Sequence, residues 1–80
     1  MHLTMIRTVN ERMRWYRLEL LPNLFGEWLL IRSFGSIGRS RATGVKTELY
    51  NNPLLAQKVY ESLVRSKTKK GYTLIHKGGK

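Results

Sequence analysis

A single change of hydrophobic period, near Asn52, limits the folds open to this chain more than any other feature. Before it, apolar residues come in short, often alternating runs, a pattern typical of strands. After Asn52 and Pro53, a favoured cap and a favoured first helical residue, the apolar residues recur at three- and four-residue spacing: Ala56, Val59, Tyr60, Leu63 and Val64. Gly71 follows the lysines that end this stripe. The pattern predicts one helix of about three turns with one buried face.

Strand-like runs surround this helix. Residues 1–9, 12–21, 27–34 and 45–50 precede it, and a short extended segment, 72–75, follows it. In the second run, Tyr16, Leu18 and Leu20 form the cleaner apolar face. The third run is apolar on both faces at its start, which is typical of a central strand covered on both sides. We expect an α+β domain: an antiparallel β-sheet of about four to five strands with one α-helix packed on one face.

Length and composition restrict the protein class. A chain of 80 residues is sized for one domain, for which we expect a core at about residues 3–75 and a basic tail at 76–80. The sequence has no cysteine, which excludes disulfides and thiolate metal sites. No run approaches the roughly 20 apolar residues of a membrane span, and the first residues do not resemble a signal peptide. We expect a soluble, cytoplasmic protein that does not bind membranes; its oligomeric state stays open.

The charge balance points to an anionic partner. Fifteen Lys and Arg residues stand against five Asp and Glu, for a net charge of +10. Polyanion binding with release of counterions is the commonest reason for such a charge, while an anionic membrane surface, other acidic partners and simple solubility are the alternatives. Residues 28–47 contain four basic residues and no acid, and residues 62–80 contain six and no acid. This distribution favours a positive surface on one side of the domain.

A basic loop follows the third predicted strand. Residues 32–41 carry one aromatic, two glycines and three arginines, without an acid: Arg32, Phe34, Gly35, Gly38, Arg39 and Arg41. Long loops on a rigid sheet often carry binding residues, although the glycines could serve the turn alone. We expect phosphates to be held by four cations and a base or sugar to stack on Phe34. The four cations are Arg32, Arg39, Arg41 and Lys46.

The sequence offers no catalytic constellation. Its five acids are scattered glutamates without paired spacing, and its two histidines, His2 and His76, stand near the two ends. The serines have no histidine in a neighbouring predicted element. These residues supply neither an acid–base pair nor an ordinary zinc site. We therefore expect a non-enzymatic protein without metal or cofactor.

The motifs of this chain resemble those of the WGR domain. That family has a tryptophan-glycine-arginine motif, an apolar residue and a second glycine, then a helix with alanine, an aromatic and lysine at fixed offsets. Here the motif position reads Phe34-Gly35-Ser36-Ile37-Gly38, and the helix offers Ala56, Tyr60, Val64 and Lys67. The closing glycine and aromatic match Gly71 and Tyr72. The resemblance covers roughly residues 12–72.

The resemblance implies a function. WGR domains occur in poly(ADP-ribose) polymerases and as short free-standing bacterial proteins, and in the polymerases the motif tryptophan packs against a nucleotide at a DNA end. Phe34 here keeps an aromatic face, whereas Ser36 replaces the charged motif residue. What the resemblance implies is therefore a nucleic-acid-binding module, with DNA favoured over RNA, in which only Phe34 inherits the nucleotide contact.

Two functions follow from these patterns. The first is DNA binding through the basic hairpin loop with little sequence specificity. The apolar face of the single predicted helix packs on the sheet, so this helix is not available to read base edges. The alternative is a protein-interaction adaptor that recognises an acidic partner surface through exposed aromatics such as Trp15 and Tyr50. The sequence leaves duplex, single strand and DNA end open as targets.

Overall fold

The computed structural model describes residues 1–38 and 41–78, and it confirms the predicted α+β architecture. The element order is β1 (His2–Val9), β2 (Arg12–Pro22), β3 (Trp28–Ser36), β4 (Gly44–Tyr50), α1 (Pro53–Lys69) and β5 (Thr73–Gly78). The strands form one antiparallel sheet in the order β4-β3-β2-β1-β5. The helix crosses one face, against β2, β3 and β4. Within the described ranges, no helix is long and apolar enough to cross a membrane.

The core lies between α1 and the sheet. Tyr16, Leu18 and Leu20, the predicted inner face of β2, are all buried. They join buried residues of β1, β3 and α1 in one cluster: Leu3, Met5, Leu30, Ala56 and Tyr60. Three further members of the helix stripe are only partly buried and pack against this cluster: Val59, Leu63 and Val64. The predicted face of the helix is therefore right, although just two of its five residues are fully enclosed.

Both ends of α1 follow the sequence signals. The Oδ1 atom of Asn52 accepts hydrogen bonds from the backbone N–H groups of Leu54 at 2.9 Å and Leu55 at 3.3 Å. Pro53 occupies the first helical position. At the far end, Gly71 adopts φ +100°, and the N–H of Tyr72 donates to the carbonyl of Lys67 at 3.1 Å. This turn brings Tyr72 back towards the sheet.

Two expectations about the strands are wrong. β3 does lie inside the sheet, between β2 and β4, but within the described ranges α1 is the only helix, so the expected cover on the second face of β3 is missing. One helix stripe can cover only one face of a sheet, which leaves Leu29 and Ile31 half-buried. Residues 76–78 also do not form a tail. They continue β5, with His76 opposite Thr4, because the free edge of β1 offers unpaired backbone groups to this segment.

Candidate nucleic-acid interface

A cleft of about 400 Å³ opens on the helix side of the sheet, beside the end of β3. Four cationic and four aromatic residues line it: Arg14, Arg32, Lys46, Lys67, Trp15, Tyr16, Phe34 and Tyr72. We call this site the basic cleft. Strand pairing explains how it forms, because Phe34 lies opposite Tyr16 of β2, and Arg32 lies opposite Lys46 of β4. Residues two apart on a strand share a face, so these side chains emerge together.

Phe34 is half-buried and held flat at the wall of the cleft. Its ring is nearly parallel to that of Tyr16, with an interplanar angle of 12° and centroids 6.1 Å apart. On the other side the ring covers Gly44, where a Cβ atom would lie 2.6 Å from the Cζ atom of Phe34. Glycine at this position therefore makes room for the ring. Phe34 as a residue is partly exposed, which stacking on a nucleotide requires.

Lys67 extends from α1 over the aromatic rings. Its Nζ atom lies 4.3 Å from the ring centroid of Tyr16 and 5.7 Å from that of Tyr72. Burial lowers the pKa of the Lys67 ammonium, and the positive charges of Lys70, Arg32, Arg7 and Lys46 lower it further. The cation–π contacts oppose part of this cost. An anion entering the cleft would relieve the mutual repulsion of these cations, which makes the site electrostatically suited to phosphate.

Arg32 is oriented by partners within the sheet. Its Nη2 atom donates to the Oε1 atom of Glu48 at 2.9 Å, while the Tyr50 hydroxyl donates to Glu48 Oε2 at 3.2 Å. The Arg32 Nε atom is buried without a hydrogen-bond partner among the described residues. Burial raises the pKa of the Tyr16 hydroxyl, and the positive charge of Arg32 opposes that rise. Arg32 thus forms an ion pair with Glu48 within the sheet and also lines the cleft.

Three of the five residues predicted to bind nucleic acid meet at the basic cleft: Arg32, Phe34 and Lys46. Arg41 is exposed and is not part of the lining, and Arg39 lies outside the described residues. The prediction of these five as a site stays a prediction.

Sequence reasoning did not place Arg14, Lys67 or Tyr72 at the site. The available signal was Lys67, a cation that continues the apolar stripe of α1 and therefore points towards the sheet. Arg14 and Tyr72 reach the cleft through strand pairing and the turn after α1, which the sequence alone does not specify.

The two glycines of the motif have different roles. Gly38 adopts φ +97° in the loop that joins β3 and β4, as a turn glycine does. Gly35 is a buried strand residue, and a Cβ atom there would lie 3.1 Å from both the Trp15 Nε1 atom and the backbone nitrogen of Thr43. The loop ends are tied by a hydrogen bond of 2.7 Å from the Thr43 N–H to the Phe34 carbonyl. Gly35 thus permits a close approach of Trp15 from the face opposite the cleft.

The polar side chains that line the basic cleft are cations and hydroxyls. Among the described residues of its lining, none carries a carboxylate, and the polar groups besides the cations include the hydroxyls of Ser36 and Thr43. No group of three or more His, Cys, Asp or Glu side chains suited to a metal occurs in ranges 1–38 and 41–78. Cations around a flat ring can hold an anion beside a planar group.

Fold and cleft together define a small α+β domain: a five-stranded sheet that displays cations and an aromatic ring at one end, with the one helix of the described chain packed on one face. The chain belongs to the WGR domain family, whose model matches residues 1–79. Neither a curated protein nor a solved structure matches it significantly. The match confirms the family resemblance and extends it over almost the whole chain. A WGR domain standing alone is not itself catalytic, and the family is consistent with nucleic-acid binding.

Proposed function

We propose that this WGR protein is a non-enzymatic module that binds DNA, with little sequence specificity, by holding backbone phosphates in the basic cleft. The observation that carries the proposal is that Arg32, Lys46 and Lys67 line the same cleft as Phe34. Burial, and then the positive charges of Lys70, Arg32, Arg7 and Lys46, lower the pKa of Lys67, which supports a concentration of positive charge at this cleft. Membership of the WGR family is consistent with this function.

The absence of sequence reading follows from the packing of α1. The residues that face the sheet, such as Ala56 and Tyr60, are buried, so the helix lies flat on β2, β3 and β4 and is not free to enter a major groove. Phosphate contacts alone fix position and affinity without reading bases. Arg41, which is exposed and outside the cleft lining, adds positive charge for phosphate contacts, and we propose the same role for Arg39, which lies outside the described residues.

The first test measures the electrostatic part of binding. The protein is titrated with blunt duplex, nicked duplex, single-stranded DNA and RNA at about 50 and 200 mM salt. Replacing Lys46 and Lys67 with alanine should weaken binding to all sequences and flatten the salt slope by about two phosphate equivalents, near 0.9 each on duplex and 0.7 on single strands. The control replaces Lys58 and Lys69, which are exposed on α1 and absent from the cleft lining.

Equal losses from the cleft and control variants would show that the protein binds through its total charge, and the cleft would not be the site. Replacing Arg39 and Arg41 with alanine, against Lys77 and Lys80, separates the loop from the chain end in the same way. If an acidic polypeptide such as polyglutamate bound at the cleft and no nucleic acid did, the adaptor function would replace DNA binding.

The second test isolates stacking. Phe34→Leu keeps apolar bulk but removes the flat ring, and loss of a base–aromatic stack weakens binding by about 1–3 kcal/mol. Phe25→Leu is the matched control, because Phe25 is 86% exposed and lies in the turn between β2 and β3, outside the cleft. Unchanged affinity of Phe34→Leu would leave phosphate contacts as the whole basis of binding.

A further inference from the structure

The face of the sheet opposite α1 carries a broad apolar surface. Strand alternation and pairing place eight apolar side chains there: Ile6, Met13, Trp15, Leu21, Leu29, Ile31, Val45 and Leu49. We call it the open face. Val45 is 61% exposed and Leu49 56% exposed, while Trp15 and Ile31 are half-buried. These apolar side chains lie on either side of a polar band that includes Thr4, Arg17 and Ser33, and an exposed sheet face with this many apolar groups marks an interaction surface.

The open face is also electrically neutral, although the chain carries a net charge of +10. Among the paired strand residues that the structure describes, Arg17 and Glu19 are the Lys, Arg, Asp or Glu side chains that alternation directs to this face. They lie 3.5 Å apart, Nε to Oε1. The strand cations Arg32 and Lys46, in contrast, line the basic cleft on the other face. Two copies of this chain can therefore meet at the open face without bringing their basic clefts together.

We propose that a second copy of this chain covers the open face, so that the protein is a two-fold symmetric dimer of stacked sheets. The face is large enough for such a dimer. Five strands about 4.8 Å apart, each with about seven residues at 3.3 Å, span roughly 20 Å by 25 Å, or about 500 Å² of flat area. Side-chain relief raises the accessible area towards the roughly 800 Å² per partner of a standard stable interface.

The ion pair on β2 indicates the symmetry. The Nε atom of Arg17 is buried and has no hydrogen-bond partner among the described residues, because the contact with Glu19 lacks hydrogen-bond geometry. β2 is the middle strand of the sheet. Consider a two-fold axis that lies midway between the two sheets, runs perpendicular to β2 and passes at the level of Leu18. This axis places Arg17 of each copy opposite Glu19 of the other copy. Sheets packed about 10 Å apart bring such side chains within reach of each other.

The first test is the mass of the full chain in solution. Sedimentation velocity over about 1 μM to 1 mM should show a shift from the 9.4 kDa monomer to twice that mass. Added salt should favour the dimer, because it screens repulsion between the cationic chains. Leu49→Glu should weaken dimerisation about tenfold or more. Leu55→Glu is the matched control, since Leu55 is 49% exposed but lies on α1, and circular dichroism verifies that both variants fold.

The decisive test is a charge exchange between chains. Arg17→Glu alone and Glu19→Arg alone should each be monomeric, because each homodimer would oppose like charges. Mixed in equal amounts, the two variants should form a heterodimer, because two glutamates of one chain then face two arginines of the other. If Arg17 and Glu19 acted only within one chain, mixing the two variants would not restore dimerisation.

Three results would overturn the dimer: a monomer at every concentration, which would leave the open face to a different protein; equal weakening by Leu49→Glu and Leu55→Glu; or no association in the mixture. The dimer does not depend on the proposed function, since the basic cleft lies on the other face. Loss of DNA binding in the cleft variants would therefore leave these masses unchanged.

Discussion

The helix face and the open face are two sides of one sheet, yet they carry different chemistry. Along β3, Arg32 and Phe34 point to the basic cleft, while Ile31, one residue away, points to the open face. Along β2, Tyr16 stacks beside Phe34, while Trp15 packs on Gly35 from the opposite side. The difference shows how a period of two lets a chain of 80 residues present concentrated charge and a neutral apolar area without mixing them.

The largest expected effect compares two neighbouring leucines of β3. Leu30 is completely buried in the core, whereas Leu29 is half-buried on the open face. Leu30→Ala should lower the free energy of unfolding by about 2–5 kcal/mol, because it removes buried methyl groups and leaves a cavity. In dilute protein, Leu29→Ala should cost clearly less. Urea unfolding measures both, and equal losses would mean that the two faces are equally enclosed in the monomer.

Alanine substitutions of two glycines should affect stability and DNA binding differently. Gly35→Ala would place its Cβ atom 3.1 Å from the backbone nitrogen of Thr43, which cannot move freely, so unfolding should become easier by about 1–3 kcal/mol. Gly44→Ala would instead meet the end of the Phe34 ring at 2.6 Å, and a ring can swing aside. Its cost should stay near 1 kcal/mol, the low end of overpacking.

The two substitutions should rank in the opposite order for DNA affinity: Gly44→Ala, which costs less stability, should cost more affinity. Gly44→Ala displaces the ring that forms the wall of the basic cleft, whereas Gly35→Ala disturbs Trp15 on the open face. Affinity measured on folded protein should therefore fall more for Gly44→Ala. If Gly35→Ala lost more affinity, the separation of the two faces would be wrong, and the side of Trp15 would belong to the nucleic-acid site.

Much of this fold could be predicted from the sequence because its signals are local. The caps Asn52 and Gly71 define the ends of α1, and alternation within β2 identifies Tyr16 and Leu18 as core. The shared face of Arg32 and Phe34 also follows from one strand. Register between strands and the path after a helix are not local, so the sequence did not bring Arg14 and Tyr72 to the cleft.

The open face was missed for a related reason. The apolar run from Trp28 to Ile31 predicted a strand covered on both sides, and the described chain contains one helix for two apolar faces. A single sequence does not show whether an apolar strand face is buried by another element of the same chain or by a second chain. The mismatch between the pattern and the monomer is itself the observation that leads to the dimer.

The smallest expected effect is a pH dependence of DNA binding at the basic cleft that dimerisation through the open face should not share. Burial, and then the surrounding positive charges, lower the pKa of Lys67 from its ordinary 10.5. Phosphate binds the protonated ammonium, so as pH rises towards the lowered pKa, the free protein loses a proton that it must regain on binding. DNA affinity should thus fall as the pH rises from neutral towards 10.5, by no more than about tenfold per pH unit, the limit for uptake of one proton.

Lys67→Arg should resist this loss, because a guanidinium stays charged throughout that range. Lys58→Arg, an exposed change on α1 outside the cleft, is the control and should lose affinity as the parent does. Dimer mass should remain constant over the same pH interval, since Lys67 lines the basic cleft on the other face of the sheet. Fluorescence anisotropy measures the first quantity and sedimentation the second. A parallel decline of both would mean that Lys67 acts through the fold of the whole domain rather than through a phosphate held on the helix face.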